Sequence, residues 1–263
     1  FREIFAYGSK LLMGNIIWQI YNNLTSLLIG KFYTPADLGN YTRGRGYAGL
    51  PASTISSILG RVTFPVLAQI QDDNSRLLAA YRKYIRTTSM AIFFGMLLLL
   101  SLAKPVVIFT VTEKWAPCIA FLQVSCLFLM FDHINSININ LLNVKGRSDL
   151  TLKMEIIKRI VSFAILLLTV NFGVMDICWG VVLFNFGYVY QWKDFVPYLI
   201  FSGFACIPAY LLTLTTLPNI LQIIIGTIVA TAIYCILLYF TKDSIFKEVV
   251  INDVFKKVTS KIK

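Results

Sequence analysis

Residues 217–240, LPNILQIIIGTIVATAIYCILLYF, run without a single charged side chain, and about 20 such residues are what a helix needs to cross a bilayer. The runs 90–103 (MAIFFGMLLLLSLA) and 160–172 (IVSFAILLLTVNF) approach that length. The 263-residue chain is 57% hydrophobic and 14% charged, whereas a soluble domain averages about 25% charged residues. Too few polar residues exist to cover a water-facing surface. The expectation is an all-α integral membrane protein with about eight transmembrane helices, near 4–30, 47–70, 87–111, 115–141, 155–172, 173–192, 195–216 and 218–240. Pro51 is placed at the start of the second span.

The cations orient these spans. Arg76, Arg82, Lys83 and Arg86 fall between spans two and three, and Lys145, Arg147, Lys153, Lys158 and Arg159 around the junction of four and five. Arg2, Lys193 and the lysines after residue 241 join them, while Lys31, Arg43, Arg45 and Lys114 fall on the opposite side. The positive-inside rule then puts both termini in the cytoplasm. The net charge of +11 is a topology signal, and no nucleic-acid partner is expected. Residues 241–263 read either as a basic amphipathic helix on anionic membrane lipids or as a solvated tail. The chain begins at Phe1 and shows no signal-type segment, so it is expected to be a piece of something longer.

Chemistry-bearing patterns are sparse. The five cysteines lie singly in apolar segments, as inert buried thiols do. One histidine without a cysteine or carboxylate cluster makes no metal site. No phosphate-binding loop or catalytic dyad is present, so no cofactor and no enzymatic activity are expected.

Three polar patterns remain. In the first span Asn15, Gln19, Asn22 and Ser26 recur on one helical face. Such a stripe either lines a wet cavity or bonds neighbouring helices. In the second span Thr54, Ser57 and Arg61 share a side. Arg61 has no other charged residue between Arg45 and Asp72, and reads as a cavity cation or as an arginine snorkelling to the headgroups. In the fourth span FDHINSININ carries Asp132 and His133, read as a possible coupling relay or as packing.

The series GSKLL (8–12), YNNL (21–24), LIGKFYTPADLGNYTR (28–43), RVTFPVLAQIQDD (61–73), TEKWAP (112–117), LQVSC (122–126), GRSDL (146–150) and CWG (178–180) resembles the Wzx-type polysaccharide flippases of the multidrug/oligosaccharidyl-lipid/polysaccharide exporter superfamily. The resemblance implies the second lobe of a two-lobe transporter plus two extra helices. Its divisions are 1–192 (six-helix lobe), 193–240 (two additional helices) and 241–263 (cytoplasmic tail). It implies translocation of undecaprenyl-pyrophosphate-linked oligosaccharide across the bacterial cytoplasmic membrane, with a missing amino-terminal lobe and membrane lipids as partners. The candidate pathway residues read from the polar patterns are Arg61, Asn15, Gln19, Asn22, Ser26, Thr54, Ser57 and Arg43, with Asp132 and His133 for coupling, and the resemblance gives Arg61 a reason, a guanidinium to pair with phosphate. Arg45 is not a usual arginine position in the family and receives no role, and Gly44 stands where the family more often has alanine. A helix's worth of residues is lacking after Trp179, so the sixth span is short. It either crosses the membrane or inverts the topology after residue 192. Alternatives are a cation-coupled exporter of small molecules from the same superfamily, or a membrane-embedded glycan polymerase or ligase.

Overall fold

The computed structural model describes residues 2–187, 191–241 and 244–246, with the side chains of some helical positions, Asn22 among them, outside that description. The elements are α1 (Arg2–Phe32), α2 (Pro35–Gln69), α3 (Asn74–Ser101), α4 (Ala103–Val111), a 3₁₀ turn (Glu113–Trp115), α5 (Cys118–Leu129), α6 (Asp132–Val144), α7 (Ser148–Thr169), α8 (Val174–Gly187), α9 (Trp192–Leu212), α10 (Asn219–Phe240) and α11 (Ser244–Phe246). The amphipathic tail reading falls on residues outside this description, apart from the start of that segment.

Local chemistry sets the helix ends. Thr34 and Asp37 form a reciprocal capping box with Pro35 in the first turn, which starts α2 well before Pro51. The second span is therefore longer than expected, and Pro51 and Pro65 lie inside it. Asp73 caps α3 by accepting from the backbone N–H groups of Ser75 and Arg76 at 3.0 and 3.1 Å. Two of the expected spans are broken: the third at Leu102, between α3 and α4, and the fourth at Met130–Phe131, between α5 and α6.

α2 packs along α5 and α6, and α1 along α7, while α3 packs along α9, which in turn holds α10. Aromatic rings tie this second group down. Phe195 of α9 lies 5.6 Å from Phe93 and 5.9 Å from Phe131, and Tyr234 of α10 stacks on Phe94 at 4.5 Å. At the polar edge Arg86 meets Asp194 at 2.8 Å. α9 and α10 thus occupy the α3–α4 side of the bundle, opposite the α1–α7 pair, where the polar residues gather.

Among the described residues four helices are long and apolar enough to cross a membrane: Asn74–Ser101, Cys118–Val144 counted through its break, Trp192–Leu212 and Asn219–Phe240. α1, α2 and α7 are long as well but carry more polar residues, which lowers their hydropathy. The protein is a multi-pass, all-α membrane protein. The described part of the short sixth span, α8, is 14 residues, about 21 Å of helix.

Candidate functional site

A cavity of about 870 Å³ lies between α1, α2, α6 and α7. Its wall on α1 runs from Gly14 to Ser26, roughly 18 Å of helix rise. Asn15, Gln19 and Ser26 all line it, on the face that their spacing defines; the side chain of Asn22 lies outside the described residues.

On α2 the cavity face is Thr42, Arg45, Gly49 and Ser53, spaced i, i+3, i+7 and i+11. Thr54, Ser57 and Arg61 are not on it. They sit about a quarter-turn around the helix and are exposed. The hydroxyl of Thr54 donates to the Leu50 carbonyl and that of Ser57 to the Thr54 carbonyl, both at 2.8 Å, so neither needs a neighbouring helix. Arg43 also points away from the cavity, its guanidinium 4.7 Å from the centre of the Trp115 ring.

Among the described residues the charges in the cavity come from three helices. Arg45 of α2, Asp132 of α6, and Glu155, Lys158 and Arg159 of α7 line it together, which leaves one cation in excess. Glu155 and Lys158 are buried, and Arg159 pairs with Glu155 at 3.2 Å. Asp132 interacts electrostatically with Lys158, Arg159 and Arg45. Buried charges persist only when compensated, and the two carboxylates offset two of the three cations. Arg45 donates to the Tyr41 hydroxyl at 2.7 Å, and the Arg159 guanidinium lies 5.0 Å from the centre of the Tyr21 ring. The aromatic neighbours hold both guanidiniums in place.

The two coupling candidates part company. Asp132 lies in the first turn of α6, where the helix dipole favours a carboxylate, and it lines the cavity. His133 is buried on another face, with Nδ1 2.7 Å from the Met130 carbonyl and Nε2 2.9 Å from the Ser89 hydroxyl. A carbonyl only accepts, so Nδ1 carries a proton. His133 thereby satisfies a backbone group beside the helix break.

Sequence reasoning passes over Tyr21, Glu155, Lys158 and Arg159 as site residues, and assigns Arg45 no role. Charge counting places Lys158 and Arg159 among the cytoplasmic cations instead. The available signal is the spacing of Thr151, Glu155, Lys158 and Ser162, a polar face of α7 continuous from its first turn.

A helical bundle with two broken spans and a charged cavity on one side is a fold found among solved structures. The lipid II flippase MurJ, in an inward closed conformation, superposes with a TM-score of 0.74 over 91% of this chain and 53% of that one, at 17% identity. Residues 1–120 match the family described as "Polysaccharide biosynthesis protein". The lipopolysaccharide biosynthesis protein WzxC of Escherichia coli K12 is 27% identical over 58% of this chain and 31% of its own length. The teichuronic acid biosynthesis protein TuaB of Bacillus subtilis is 24% identical over 57% of the chain and 31% of its length. An uncharacterised membrane protein of the cps region of Klebsiella pneumoniae is 28% identical over 61% and 33%. The chain spans about a third of the length of these curated relatives. The resemblance to the Wzx-type polysaccharide flippases is thus carried by sequence relatives and fold together.

Proposed function

We propose that this chain forms the second lobe of a flippase that carries undecaprenyl-pyrophosphate-linked oligosaccharide from the inner to the outer leaflet of the cytoplasmic membrane, with both termini cytoplasmic. The carrying observation is the 870 Å³ cavity lined by Arg45, Lys158 and Arg159 against two carboxylates. Guanidiniums pair with phosphate oxygens in bidentate fashion and more strongly in a low-dielectric cleft. No bond is made or broken; the lobe binds and reorients.

The exposed strip of Thr54, Ser57 and Arg61 supports the two-lobe arrangement. A cation facing hydrocarbon is costly, so this strip faces the first lobe, where Arg61 joins the pathway from the interlobe side. Arg43, beside Trp115, steadies the outer mouth. Asp132 is the coupling carboxylate, since it shares the cavity with the cations while His133 turns to Ser89. Rocking of one lobe against the other about this site is general transporter behaviour.

The test uses the full-length transporter in a strain lacking its own flippase, with membrane abundance checked for every variant. Arg45→Ala is expected to lower surface polysaccharide at least tenfold, the scale of one lost charge-assisted contact, while lipid-linked precursor accumulates; Arg45→Lys should restore part of it. Arg61→Ala should have the smaller effect of the two. Wild-type export by Arg45→Ala at normal abundance would remove the cavity from the transport path.

A further inference from the structure

Tyr21 is 8% exposed, and its hydroxyl has no hydrogen-bond partner among the described residues. The Ser162 and Thr25 hydroxyls come close enough to act on the phenol, but neither meets it in hydrogen-bond geometry, and Thr25 directs its own to the Tyr21 backbone carbonyl at 3.3 Å. A buried hydroxyl without a partner bears its full desolvation cost, and folded proteins rarely leave one so.

The surroundings define what would complete it. Arg159 lies over the Tyr21 ring, and both Arg159 and Arg45 act electrostatically on the phenol. Arg45 is held by Tyr41, itself only 5% exposed. A side pocket of about 40 Å³, lined by Tyr21, Tyr41 and Arg45 together with apolar Val124, Phe128, Ile177 and Val181, adjoins the main cavity. That volume admits a group the size of a water molecule and excludes a sugar ring. Guanidiniums offer donors and no acceptor, so a group that joins them to the phenol supplies lone pairs. An anionic oxygen supplies the most and also meets the surplus cation.

We propose that Tyr21, flanked by Arg45 and Arg159, forms a subsite for one oxygen of an anionic group on the transported headgroup, with the phenol donating the hydrogen bond. Phosphoryl and carboxylate oxygens share this chemistry. The identity of the cargo rests on the flippase reading; the anion subsite is a property of these side chains.

The experiment titrates the whole transporter in nanodiscs with inorganic pyrophosphate, with glucuronate and with glucose, comparing wild type and Tyr21→Phe. Phenylalanine keeps the ring beneath Arg159 and removes only the hydroxyl. The expected result is about tenfold weaker binding of one or both anions, the scale of a hydrogen bond to a charged group. Glucose binding should be unchanged, and the ligand-free melting temperature unchanged or higher. Tyrosine dependence with pyrophosphate alone identifies a phosphoryl oxygen, with glucuronate alone a carboxylate, and either supports the subsite. Equal anion affinities in the two proteins, no anion binding by wild type at millimolar concentration, or a lower melting temperature in Tyr21→Phe would each overturn it. The last would show that the hydroxyl has an internal partner. Complementation separates the two readings. Hydroxyl-dependent anion binding by a wild-type protein that restores no surface glycan leaves the subsite standing without the flippase. Restored glycan with hydroxyl-independent binding removes only the subsite.

Discussion

Asp132 shows how one backbone break decides a side chain's chemistry. Read along the sequence, FDHINSININ is polar nearly all round a continuous helix and points nowhere in particular. The turn at Met130–Phe131 starts a new helix at Asp132, so its carboxylate sits at a helix N-terminus within the bundle, and His133 bonds the neighbouring Met130 carbonyl. Discontinuous helices of this kind are where membrane proteins build sites, because irregular backbone is tolerated only where it is buried or lines a cavity. A cap outside the membrane allows a cleaner residue-scale prediction. The Asp73 carboxyl is held below the usual carboxylate range, first by the Ser75 hydroxyl and then by the Arg76 backbone N–H. Its folded value is depressed, so its contribution is complete above the unfolded value of about 3.9 and is lost as the pH falls through the lower, folded one. Asp73→Ala should lower the melting temperature on the order of 2 °C at pH 7. Asp73→Asn, which caps equally well, should retain it and show a flatter profile below pH 4 in the same thermal scans.

Pairs of helices are held by different means on the two sides of the bundle. α2 and α5 meet at Gly44, where an added Cβ would stand 2.7 Å from the Leu122 nitrogen and 2.8 Å from the Cys118 carbonyl oxygen. Both are backbone atoms and cannot rotate away, so the helices must separate. Gly44→Ala is expected to cost about 1–3 kcal/mol, read as a lower melting temperature in detergent, with the neighbouring Arg45 displaced from the cavity; an unchanged melting temperature would show that α2 and α5 have slack there. Close approach through a small residue is the usual device where lipid gives helices no hydrophobic reason to associate. On the other side, α3, α9 and α10 are joined by the Phe93, Phe131 and Phe195 rings and by Tyr234, whose hydroxyl donates to the Met90 carbonyl at 2.8 Å. Hydrogen bonds of this kind average only about 0.6 kcal/mol between membrane helices, so the ring contacts carry most of that attachment.

At the scale of the whole molecule, the charge distribution makes a testable statement about sidedness. With native Cys235, which is exposed, replaced by serine, Arg76→Cys should react with an impermeant maleimide only after cells are permeabilised, and Glu113→Cys should react in intact cells. Labelling of both from the same side would overturn the topology. The sequence by itself determined the helical membrane class and the spacing that puts Asn15, Gln19 and Ser26 on one face of α1, because hydropathy and helical period are local properties read from neighbours in the chain. It also carried the family likeness, in motifs whose order survives. The cavity was decided only by tertiary structure. Arg45, Asp132, Glu155 and Arg159 lie far apart in sequence, and whether a polar residue faces a cavity or bonds its own helix depends on how α2 is rotated against α5 and α6. That rotation turns Arg45 inward and leaves Arg61 outside, because backbone contacts such as those at Gly44 set it, and the pattern of polar residues along α2 does not.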